Sequence, residues 1–182
     1  MKVRLAGIIS NSLVNGVGMR RVLFSQGCKH QCKGCFNPET WDFNGGEDRD
    51  CDDIVKDIIN DPIIHGVTFS GGDPFYQADK FAYIAKRIKK ENPSLDIWCY
   101  TGFTFEELLE KSKTDIDVYD LLCSIDVLVD GMFDETKKDE RLKFRGSSNQ
   151  RIIFVPLSLC EKRAMELLFN DEPLFPDLVK NI

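Results

Sequence analysis

Apolar residues recur along the chain in two rhythms. Short runs of branched and aromatic residues fit buried strands, and stretches with apolar positions every three or four residues fit helices with one buried face. Residues 3–9 predict an opening strand and 22–25 a second. Ile54, Val55, Ile58 and Ile59 mark a helix that Asp50 or Asp52 can cap and that Asp61-Pro62 ends. Residues 67–69 predict a third strand. Phe81, Ala82, Ile84, Ala85 and Ile88 define a second helix stopping near Pro93. A strand follows over 95–100. Thr104 and Glu107 form a capping box for a short helix. Val118, Leu121, Leu122 and Ile125 suggest another. The last strands are 127–129 and 152–155. Ser158 and Glu161 are expected to box a C-terminal helix running through Phe169. The charged residues 134–145 read as a surface excursion.

Strands alternating with helices imply βαβ units and an α/β fold with a mainly parallel sheet. Turns rich in glycine or polar residues fall after the strands, where parallel α/β folds place their chemistry. The 182 residues make one domain, 1–182, with 156–182 a tail of open role. They fall well short of the ~250 residues of an eightfold barrel. A partial, open barrel is therefore expected.

Composition narrows the setting. A hydrophobic fraction of 42% and a charged fraction of 30% are ordinary for a globular protein. No apolar run approaches the roughly 18 residues of a membrane span. The opening MKVRLAGIIS is too short in apolar residues for a secretory signal, so the cytoplasm is the expected location. A net charge of −6 argues against general nucleic-acid binding. Arg20-Arg21 and residues 86–90 are short basic groups, the second read as a solvated helix face. Seven cysteines, four of them isolated, fit a reducing compartment. Cys51, Cys99, Cys123 and Cys160 are expected to be small buried hydrophobes.

The other three stand together. Cys28, Cys32 and Cys35 form a C-x3-C-x2-C pattern on a loop just past a predicted strand. Thiolates so close can converge on one soft metal centre. A saturated iron–sulfur cluster takes about four cysteines, so three suggest a cubane with one iron left open. A structural zinc site with His30 as fourth ligand is one alternative; a closed cluster completed by a distant cysteine is another. His30 and His65 otherwise carry no signal above surface or core use. The Asn15-Gly16-Val17-Gly18 loop is expected to pack backbone close to the cysteines. After the third strand, Ser70-Gly71-Gly72-Asp73-Pro74 lets backbone approach a ligand, though glycine turns are common.

The cysteine pattern followed one βα unit later by SGGDP resembles the radical S-adenosylmethionine enzymes. Within them, the chain is similar to the activating-protein family of anaerobic ribonucleoside-triphosphate reductases. NGVGMR, CKHQCKGCFN, Thr40-Trp41, SGGDP, DIWCYTGF, LVDGMF and RGSSNQR carry this likeness in order across about residues 8–155. Val17 departs from the family's usual proline. Gly34 stands where other radical enzymes have an aromatic ring, which Phe36 then offers.

The resemblance implies a [4Fe-4S] cluster on Cys28, Cys32 and Cys35, with S-adenosylmethionine at the open iron. Gly71, Gly72 and Asp73 would hold the methionine amino group, and Gly34 and Phe36 the nucleoside. Thr101, and Asp130 with Gly131, lie at later strand ends within expected reach of ribose or carboxylate; helix capping is their alternative use. Ser147, Ser148, Asn149 and Gln150 are assigned to cofactor or partner. The implied partners are the large subunit of the reductase, which would receive a glycyl radical, and a flavodoxin-type electron donor. A concave surface is expected beside the cysteines, open to a loop of the reductase. Rival readings are the pyruvate formate-lyase activases, carboxydeazaguanine synthases, or a non-enzymatic zinc or iron–sulfur module.

Overall fold

The apolar runs become the middle of one sheet. The computed structural model describes residues 1–169. Its strands are β1 (Lys2–Ser12), β2 (Arg20–Ser25), β3 (Glu47–Asp50), β4 (Gly66–Gly71), β5 (Asp96–Tyr100), β6 (Val127–Asp130) and β7 (Arg151–Phe154). They lie in the order β3-β1-β2-β4-β5-β6-β7, and the sheet is open. The four central strands, β2, β4, β5 and β6, are parallel. β1, β3 and β7 join antiparallel. The expected parallel fold holds at the centre and gives way at both edges.

Among the described residues there are five α-helices: α1 (Cys51–Ile59), α2 (Ala78–Glu91), α3 (Phe105–Lys111), α4 (Ile116–Leu122) and α5 (Val155–Glu161). Their apolar residues pack with Leu23, Phe69, Ile97, Cys99 and Leu128 into one core. A second cluster of Trp98, Val127, Val129 and Ile152 is covered by Phe144, Leu167 and Phe169. Phe144 belongs to the charged excursion, and its ring meets Trp98 edge-on at 5.3 Å. Asp50 caps α1 by accepting from the Asp52 amide, and the Thr104–Glu107 box at α3 forms as expected. No helix among the described residues is long and apolar enough to cross a membrane.

Several expectations need correction. β3 reads Glu-Asp-Arg-Asp, with no apolar residue to betray a strand. Such an edge strand gains backbone pairing with β1 and keeps its charges in water. The last helix begins at Val155, where strand was expected, because Pro156 starts a helix readily. Ser158 sits inside it, donating to the Phe154 carbonyl at 2.6 Å. The helix ends at Lys162 in a left-handed turn, and the chain then folds back so that the Leu167 amide donates to Ile152. It never reaches Phe169 as a helix. Cys51 and Cys99 are buried as expected, but Cys123 and Cys160 are exposed.

The Asn15–Gly18 loop is also misplaced by the sequence reading. It enters β2, whereas the cysteines leave it, so the two lie at opposite ends of the strand. Gly16 instead makes room for Arg20, and Gly18 for His65. Arg20 is fully buried, donating to Thr68 Oγ1 at 2.7 Å and pairing with Asp96 at 2.6 Å. One half of that basic pair is thus a core residue, and burial lowers its pKa against the pull of Asp96.

Candidate active site

Parallel strands deliver their following loops to one end of a sheet. Here the loops after β2, β4, β5 and β6 line a single cavity of about 130 Å³. The first brings Cys28, Cys32, Cys35 and Phe36; the end of β4 and its loop bring Ser70, Gly71 and Gly72; the third brings Thr101 and Gly102; the fourth, Gly131 and Phe133. Gln150, just before the antiparallel β7, reaches the same end.

Backbone stitches the first two loops together. The Gly72 amide donates to Ser25 at 2.8 Å, and the Asp73 amide to Gly27 at 3.0 Å. Gly27 and Cys28 in turn donate to Thr40 and Trp41 at 2.8 and 3.2 Å. The approach leaves no space for side chains. A Cβ on Gly72 would stand 2.5 Å from the Gly27 oxygen, and Gly71 adopts a φ of +94° besides.

All three cysteines of the pattern are free thiols facing this cavity, and no fourth cysteine lines it. Cys51 and Cys99 lie in the core with the helices. Burial raises the pKa of Cys28 and of Cys32, while backbone amides facing each sulfur, those of His30 and Gln31 for Cys28, pull it back down. The Asn37 amide donates to Cys35 Sγ at 3.4 Å. Among the described residues no three Cys, His, Asp or Glu side chains are gathered to hold one metal ion. A single zinc would draw its thiolates together at bonds of about 2.3 Å. A cluster spreads its thiolates over several irons. An all-thiol donor set of three, on a cavity wall thinned by glycines, fits a cluster with one corner not claimed by cysteine.

Asp73 does not face the cavity. Its carboxylate is wholly buried and accepts from the Phe75 amide at 3.0 Å, Thr101 Oγ1 at 2.8 Å, the Gly102 amide at 3.0 Å and His30 Nε2 at 2.9 Å. It knots three loops together and has no side-chain atom to offer a ligand. Thr101 lines the cavity but spends its hydroxyl proton on Asp73. Asp130 is likewise committed: it accepts from the Phe105 amide at 2.7 Å and from Arg151 Nε at 3.0 Å. Its carboxylate caps α3, and only the adjoining Gly131 borders the cavity.

Gly34 takes a φ of +75° beside Phe133, and Phe36 is 62% exposed with its ring 5.0 Å from that of Phe133. Of Ser147 to Gln150, only Gln150 lines the cavity; its Nε2 donates to the Gly131 carbonyl at 3.0 Å. Ser147 is buried, and Asn149 donates to the Met132 carbonyl. His30, weighed only as a zinc ligand, and Trp41 and Tyr100, quoted only within motifs and given no role, also line the cavity. The one available hint was that His30 lies inside the cysteine pattern.

The model of the 4Fe-4S single cluster domain family matches residues 14–153, which places the chain in the class of single-cluster iron–sulfur proteins. Curated relatives narrow this. An anaerobic ribonucleoside-triphosphate reductase-activating protein of Vibrio cholerae is 41% identical over 146 residues, 77% of this chain and 90% of the relative. The Escherichia coli K12 protein of that name is 40% identical over 76% of this chain and 90% of its own. That of Enterobacteria phage T4 is 35% identical over 76% and 86%. The chain belongs to the anaerobic ribonucleoside-triphosphate reductase-activating protein family.

Proposed function

We propose that this chain activates an anaerobic ribonucleoside-triphosphate reductase as a radical S-adenosylmethionine enzyme. The observation that carries the reading is the meeting of three cluster-type thiols and the Gly71–Gly72 strap on one cavity without a fourth cysteine. When bound there, a [4Fe-4S] cluster supplies the electron that splits S-adenosylmethionine into methionine and a 5′-deoxyadenosyl radical, which takes a hydrogen atom from a glycine of the reductase.

The chain's own residues bind and orient. Cys28, Cys32 and Cys35 are the cluster ligands. Gly71 and Gly72 bring backbone against the methionine end, and Asp73 acts behind them by fixing their loop. Phe36, with Gly34, offers a ring and bare backbone to the nucleoside. Thr101, Gly131 and Gln150, which line the same cavity, are proposed to face the ribose and carboxylate. The open sheet supports a partial barrel of the radical S-adenosylmethionine type within a single domain. It leaves the side by which a reductase loop enters. A flavodoxin-type protein is the proposed electron donor.

The test is anaerobic reconstitution. The protein should bind up to about four irons per chain. On reduction it should release methionine and 5′-deoxyadenosine, and with its reductase it should give a glycyl radical by electron paramagnetic resonance. Cys32→Ala should abolish iron binding and cleavage together. Turnover retained by that variant overturns the reading.

A further inference from the structure

We propose that His30 is a positioning residue: a strut that ties the cysteine loop to Asp73 and thereby sets the cluster ligands. The proposal rests on the cluster reading and adds to it a residue that is not a ligand. The geometry converges on one side chain. His30 lies between Cys28 and Cys32, and its Nε2 donates to Asp73 Oδ2 at 2.9 Å. That oxygen is fully buried and also receives Thr101 and Gly102 from the loop after β5. One carboxylate therefore joins the cysteine loop to the two loops that follow.

Packing holds the imidazole where this bond needs it. Its ring meets Phe103 edge-on at 4.6 Å and lies 5.7 Å from Tyr76. Gly102 is bare beneath it: a Cβ there would come within 2.5 Å of the ring. The side chain keeps only 12% of its surface in water.

The strut has something to hold. The next residue, Gln31, sits at a φ of +48°, a left-handed conformation that is unfavourable for a residue with a Cβ. Strain of this kind persists only where the surroundings enforce it. Gln31 lies between His30 and Cys32, so this strained turn sits inside the cysteine loop itself. Hydrogen bonds to cluster sulfurs tune a cluster's potential, and outer partners of ligands govern metal affinity. Releasing His30 lets the turn relax and the cysteines on either side of it shift.

Two substitutions at the position separate donor from bulk. His30→Phe keeps a ring between Phe103 and Tyr76 but removes the donor; His30→Gln restores an N–H near the place of Nε2. After anaerobic reconstitution, His30→Phe should hold iron about 10–100-fold less tightly against a chelator. Its reduced cluster should show a shifted potential and an altered electron paramagnetic resonance spectrum. His30→Gln should recover most of both. Wild-type affinity and spectrum in His30→Phe overturn the proposal, as does a Gln variant as impaired as Phe. Should His30→Phe not fold, Gly102→Ala displaces the ring from outside the loop; it should weaken iron retention likewise, and unchanged retention overturns the strut. Wild-type protein that takes up no cluster defeats the function itself. Wild-type uptake with an unaltered variant defeats only the strut.

Discussion

One methyl group tests how tightly the cavity wall is built. Gly72→Ala would place a Cβ 2.5 Å from the Gly27 carbonyl oxygen, which cannot swing away as a side chain would. The two loops must part, at about 1–3 kcal/mol. The shift falls between the cysteine loop and the strap, so cluster uptake should survive while S-adenosylmethionine cleavage drops at least tenfold. Iron content and 5′-deoxyadenosine yield, measured on the same sample, check this; full cleavage would show that the strap does not touch the cofactor. The residue scale is also where sequence reading divides most sharply. Cys28, Cys32 and Cys35 were legible as a group because three cysteines within eight residues stay together whatever the rest of the chain does, and they reach one cavity. Asp73 looked like a ligand because a carboxylate beside two glycines is polar and near the site. Its true partners, His30 and Thr101, stand 43 and 28 residues away, and no local pattern encodes such a bond.

At the scale of elements, local rules worked where local energies decide. Thr104 accepts from the Glu107 amide at 3.2 Å, and Glu107 returns the bond to the Thr104 amide at 2.7 Å. That reciprocity needs only four residues, which is why it could be read from the chain. Thr104→Ala should cost about 1 kcal/mol of stability, seen as a lower midpoint in chemical denaturation. Iron uptake should not change, because no residue of α3 lines the cavity. β3 and α5 escaped for a different reason. β3 exists because β1 offers an edge, and α5 stops because residues 165–167 return to β7. Both are decided by partners distant in sequence. The Asn15–Gly18 loop erred similarly: its glycines were real turn signals, but only the direction of β2 says which end of the sheet they occupy.

The whole molecule turns four separate loops into one site. Because β2, β4, β5 and β6 run the same way, every loop after them arrives at one end, and an open sheet leaves that end approachable from the side. Phe36, 62% exposed, lines the cavity, and Met132, 45% exposed, stands between the lining residues Gly131 and Phe133; Lys33 pairs with Glu135 at 3.0 Å. Flexible apolar side chains such as Met suit a surface that must accept a chain of another protein. Met132 touches neither the cysteine loop nor the strap through any side-chain hydrogen bond, so it separates docking from chemistry. Met132→Glu should leave iron content and reductant-driven release of 5′-deoxyadenosine unchanged, yet reduce glycyl radical formation in the reductase by about tenfold, the effect of losing one interface anchor. Radical yield equal to wild type would move the docking face away from this mouth. Loss of cleavage as well would place Met132 in the cofactor site. The separation requires that the cavity proposed to split the cofactor and the surface proposed to receive the reductase adjoin without coinciding, and an open parallel sheet allows that arrangement.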